Sequence, residues 1–141
     1  MIDQARVTAL HERAMEQAQA ALTTADPRLA HQLSRSAFEQ EREAAESLAI
    51  ELGQEPTRAI LYRSAATLAV DCRDDAEAKR LAKEGLAGSP PADVEAELRE
   101  ILAKLEARAP SGSPVPGAFR AAVGHVLSSL VSALHVFKSH R

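Results

Sequence analysis

Tryptophan is absent from this 141-residue chain and aromatics are few: Tyr62 and the three phenylalanines Phe38, Phe119 and Phe137. Strands and sandwich cores draw on aromatic and β-branched residues, so a large sheet is not expected. A single cysteine, Cys72, excludes an intrachain disulfide framework and any multi-cysteine zinc site. The six glycines (Gly53, Gly85, Gly88, Gly112, Gly117 and Gly124) are scattered, and none opens a phosphate-binding loop before Lys-Ser or Lys-Thr. A basic face is missing too: 17 basic against 20 acidic residues give a net charge of -3, so nucleic acid is not the expected partner. No signal peptide is read at Met1-Ile2-Asp3-Gln4, which runs straight into a charged amphipathic segment, and the cytoplasm is the expected compartment.

What is present is alanine, at 29 positions, within a composition that is 45% apolar. That is enough to bury a core, so wholesale disorder is not expected. Alanine, leucine, glutamate and arginine all favour helix, and the spacing agrees. In a first helix the apolar positions are Val7, Leu10, Ala14, Ala18, Ala21 and Ala25. Asp26 then caps a second helix with Pro27 in its first turn, and Ala30, Leu33, Ala37, Ala44, Leu48 and Leu52 form its stripe to about Leu52. A third helix is expected from Thr57 to Cys72, with Leu61, Ala65, Leu68 and Cys72 on one face. Asp74 and Glu77 have capping-box spacing and open a fourth, ended by Gly88-Ser89-Pro90-Pro91. A fifth runs from about Pro91 to Ala107 through Val94, Leu98, Ile101, Leu102 and Leu105. The expected fold is all-α.

Charge divides the chain. Residues 1–57 carry net -5, residues 58–109 net -1, and residues 110–141 net +3 with no acidic residue. The composition changes at the same place, through Pro110-Ser111-Gly112-Ser113-Pro114-Val115-Pro116-Gly117. The expected organisation is a helical body over 1–109, a Pro/Gly/Ser linker over 110–117 and an amphipathic helix over 118–141.

Residues 61–90 resemble one tetratricopeptide repeat. Tyr62 takes the early aromatic position, Ala66, Ala69, Ala78, Ala82 and Gly85 are small where the two helices cross, and Pro90 closes the unit. Residues 13–42 resemble a fainter copy, with Ala14 in place of the aromatic and Arg42 in place of the proline. Ala18 and Ala66 lie 48 residues apart, against a family period of about 34. The extra length is expected in an extended second helix, with the fifth helix capping the second unit. The resemblance implies a helix-pair body whose first helices line a peptide groove. Its expected lining is Met15, Gln19 and Thr23 from one pair and Arg63, Thr67 and Asp71 from the other. Arg63 is placed there as a two-point holder of a peptide carboxylate.

Chemistry is harder to find. Histidines 11, 31, 125, 135 and 140 include no pair three or four positions apart, so no metal site is expected. Cys72 sits among Asp71, Asp74 and Asp75, which disfavour a thiolate, and reads as a small buried hydrophobe. Glu41 and Glu43 read as a solvated helix face with pairs such as Glu39 with Arg42. No catalytic residue and no cofactor is expected; the expected role is a non-enzymatic adaptor or accessory subunit. The final segment offers a second surface, with Phe119, Val123, Val126, Leu127, Leu130, Val131, Leu134 and Phe137 on one face. Three fates stay open for it: folding back on the body, docking to a protein or a second copy, or attaching to a membrane through 118–138. The stretch between Arg120 and Lys138 has 17 residues without a formal charge, at the lower edge of spanning length. Its serines and histidines suit an interfacial helix better than a spanning one.

Overall fold

The computed structural model describes residues 3–48, 50 and 52–108; the linker and the C-terminal helix expected from the sequence lie outside them. Five α-helices succeed one another: α1 (Gln4–Thr23), α2 (Pro27–Glu46), α3 (Thr57–Asp71), α4 (Asp75–Ala87) and α5 (Ala92–Arg108), with a 3₁₀ turn at Leu52–Gln54 before α3. No strand occurs among the described residues, and the body is all-α.

Local chemistry sets each start. The Asp3 carboxylate accepts from the Arg6 N–H at 3.0 Å, and Asp26 does the same for Arg28 at 3.0 Å with Pro27 in the first turn. The Asp74 side chain accepts from the Glu77 N–H at 3.3 Å. The reciprocal arm of a capping box does not form, because the Asp74 N–H bonds to the Ala69 carbonyl and the Glu77 carboxylate is taken by Arg80 and Arg42. For α3 the cap comes from Glu55, whose Oε2 accepts from the Ala59 N–H at 3.1 Å. Between α3 and α4, Arg73 takes a left-handed φ of 59°, and the bonds Arg73 N–H to Val70 O and Asp74 N–H to Ala69 O close a Schellman turn without its usual glycine.

The second helix is shorter than expected. It ends at Glu46, where the Ser47 hydroxyl bonds the Ala44 carbonyl at 2.7 Å and Leu48, 3% exposed, turns into the core. The extra length between the two helix pairs is therefore divided between α2, with 20 residues against 13 for α4, and the segment before α3.

Packing proceeds along the chain: α1 on α2, α2 on α3, α3 on α4, and α5 on both α3 and α4. Alanine makes this approach close. Ala66, Ala69, Ala78 and Ala82 are all fully buried where α3 and α4 cross. A Cβ added to Gly85 would lie 3.0 Å from Tyr62 Cβ and 3.0 Å from Leu98 Cδ1, so glycine is what lets α4 sit against α3 and α5 together. Around this small-residue centre stand a few large anchors, Phe38, Leu81, Leu98 and Leu105, each worth about 2–3 kcal/mol of buried apolar surface. As the middle helix, α3 is buried from Leu61 to Val70 on every side.

Candidate functional site

The stripe on α1 is Val7, His11, Ala14, Ala18 and Ala21, with steps of three and four that put an imidazole in the apolar row. On α2 the matching row is Ala37, Glu41 and Ala44, and Glu41 is wholly buried. The two meet: His11 Nδ1 lies 2.9 Å and 3.0 Å from the two Glu41 carboxylate oxygens. Burial opposes charging of His11 and is the largest single influence. The hydrogen bond and charge of Glu41, together with the charge of Glu12, outweigh it and hold the imidazole above its ordinary value of 6.5. Glu41 is thus no part of a solvated face, contrary to the expectation from its acidic neighbourhood. Arg42 reaches across to Glu77 at 3.4 Å, and Glu39 pairs with Arg35 at 3.3 Å instead of with Arg42.

Two arginines of α3 are buried as well. The Arg58 guanidinium stacks on Tyr62 at 4.6 Å, donates from Nη2 to the Glu84 carbonyl at 2.9 Å, and faces Glu55 at 3.6 Å. Glu55 also accepts from the Ser89 N–H at 3.2 Å, so one carboxylate ties the start of α3 to the turn between α4 and α5. Arg63 is only 3% exposed and reaches Glu97 on α5 at 3.2 Å.

The expected groove therefore divides. Arg63 and Thr67 do not face outward: Arg63 is spent on Glu97, and the buried Thr67 hydroxyl donates to the Arg63 carbonyl at 3.0 Å. The physical reason is α5, which packs on the face of α3 that a peptide would have used. Asp71 is half-buried at the end of α3, and Met15 is half-buried against the core. Gln19 and Thr23 lie on α1, a helix that packs mainly on α2 alone, and both are exposed. Leu22 and Leu29, 38% and 42% exposed, flank the same α1–α2 turn. The tail residues from Phe119 to Phe137 lie outside the described residues.

Between α2 and α4 runs a polar seam: Arg35 with Asp74, Arg42 with Glu77, and Arg80 with both Glu46 and Glu77. Arg35 and Arg42 sit over the Phe38 ring at 5.2 and 5.1 Å. The Arg80 hydrogen bond, ahead of its charge and that of Arg42, holds the Glu77 carboxyl below the usual range. These partly exposed pairs align the two helices and each contributes about 1 kcal/mol or less.

Among the described residues no group of three or more His, Cys, Asp or Glu side chains could hold a metal ion, and no helix is long and apolar enough to cross a membrane. Cys72 is half-buried; burial first, then the charges of Asp71, Asp74 and Glu39 against that of Arg35, push its thiol up to about 11. At neutral pH this leaves roughly a hundredfold less thiolate than an unperturbed cysteine would carry. Alkylation of native protein by iodoacetamide near neutral pH should be slower than that of urea-unfolded protein by about this factor, and equal rates would contradict the burial described.

The chain matches no protein-family model, no curated protein and no solved structure.

Proposed function

We propose that this chain is a non-enzymatic, cytoplasmic interaction module, a tetratricopeptide-like helix-pair body that engages a protein or peptide partner through α1, through its C-terminal segment, or through both. One observation carries the reading: the charged side chains His11, Glu41, Arg58 and Arg63 buried in the body each face an opposite charge within it, while α1 is packed mainly from one side and leaves Gln19, Leu22 and Thr23 at the surface. His11 is spent on Glu41, Arg63 on Glu97, and Arg58 on Tyr62, Glu55 and Glu84. A site built for chemistry needs reactive groups that converge on an open cleft. These groups instead bridge packed helices, as groups that hold a scaffold together do. The tetratricopeptide resemblance fits the succession of two antiparallel helix pairs with α5 laid over the second.

The test compares partner recovery by the intact chain with that of a chain ending at Arg108, each checked for cooperative melting. Recovery of one defined protein by either form supports the module. The second reading, a membrane-attached accessory protein, rests on the uncharged stretch between Arg120 and Lys138. It predicts flotation of the intact chain with lipid vesicles and its loss in the shortened form.

A further inference from the structure

We propose that α1 opens from the body as a unit and that the charge on His11 decides how often, so that a rise in pH loosens this helix ahead of the rest of the fold. Of the five helices, α1 has one substantial neighbour, α2. Its inward row is Val7, His11, Ala14, Ala18 and Ala21, where α5 buries Val94, Leu98 and Leu105. Three alanines remove little apolar surface from water, and Leu10 and Met15 are only half-buried. Polar bridges to α2 therefore carry more of the hold: Arg6 with Glu43, His11 with Glu41, and Gln40, which donates to Gln17 Oε1 at 2.8 Å. The Arg6–Glu43 pair is at the surface and contributes little, and Gln40 Oε1 is buried without a hydrogen-bond partner. Of the three bridges, only His11–Glu41 is buried on both sides.

The charged groups that act on the imidazole are Glu41 from α2 and Glu12 beside it on α1, both acidic, while Arg6 is turned to Glu43. With α1 docked, the ring is set against the Glu41 carboxylate out of water; with α1 open, both groups are solvated. The docked state therefore holds the proton more tightly than the open one, and loss of the proton favours opening. A neutral ring can still donate its Nδ1–H to Glu41, but the charge that offsets the buried carboxylate is gone. Opening uncovers Glu41 on α2, with Ala37 four residues before it and Ala44 three after it on the same face. A terminal helix held by one neighbour opens at a lower free energy than the core, and α3, buried on every side from Leu61 to Val70, supplies the core reference.

Hydrogen exchange on the full chain across a pH series tests this, with each amide corrected for its intrinsic rate. Amides of α1 should be less protected than those of α3 at every pH. As pH rises above about 6.5, α1 should lose protection relative to α3 by about threefold or more, in step with titration of the His11 ring followed by NMR. In His11→Leu/Glu41→Leu the ratio of α1 to α3 protection should not change with pH. Equal protection of α1 and α3 in the wild type overturns the proposal, because α1 would then open only with the whole fold. So does a His11 titration that leaves α1 protection unmoved, or the same pH trend in wild type and double variant. None of these readouts involves a partner, so this proposal and the interaction module can fail separately.

Discussion

Replacing His11 with leucine should lower the stability of the body by about 3–5 kcal/mol, because it leaves the Glu41 carboxylate buried without its cation. The double replacement His11→Leu/Glu41→Leu should recover most of that loss, since a packed apolar pair avoids the desolvation that the charged pair incurs. Urea unfolding of the single and double variants measures both. The pair also sets a pH dependence with a defined sign. The imidazole in the folded protein is held above its ordinary value of 6.5, so the folded state binds the proton more tightly than the unfolded chain. The resulting stabilisation is complete below the unfolded value and is lost as pH rises through the folded one. Relative to the double variant, the wild type should therefore lose stability as pH rises above about 6.5. Parallel profiles of the two proteins over that range would show that His11 is not held as described.

Arg63→Glu is the second large effect, and it acts on folding instead of on recognition. The guanidinium is 3% exposed and faces Glu97, so the substitution sets two carboxylates against each other beneath α5. A loss of about 3–5 kcal/mol is expected, with α5 exchanging its amides first. The reciprocal change Glu97→Arg in the same chain should restore part of it, because the attraction returns with its direction reversed. Were Arg63 a groove residue, Arg63→Glu would leave the melting temperature near the wild-type value and affect partner binding alone. A thermal melt separates the two cases.

These two residues also show where sequence reasoning stops. Helix identity and caps are local, and they are legible in the sequence: Asp26 with Pro27 and Asp74 stand where spacing and propensity put them, and the small residues from Ala66 to Gly85, expected at a crossing from the tetratricopeptide resemblance, are buried. The end of α2 is not, because a stripe through Leu48 and Leu52 continues past the point where Ser47 turns the chain. Glu41 is masked by its acidic neighbours, although its position between Ala37 and Ala44 already places it in the apolar row. His11 can be found in the same way, four residues after Val7 and three before Ala14. Arg63 and Thr67 cannot. Their burial depends on which face of α3 is taken by α5, a matter of tertiary arrangement on which a helical period is silent. The pairing of Glu55 with Ser89 and Arg58, which joins the start of α3 to the turn after α4, is equally beyond a local pattern.

If binding belongs to the open side of α1 and to the C-terminal segment, the interior charges serve only the scaffold. Gln19→Arg/Thr23→Arg separates these roles, because both side chains lie at the surface and neither substitution touches the core. The melting temperature should stay close to the wild type in both the intact chain and the chain ending at Arg108. A partner recovered by the wild-type body should be lost from the doubly substituted body. Full recovery by the substituted body, with the C-terminal segment removed, would contradict a binding role for α1.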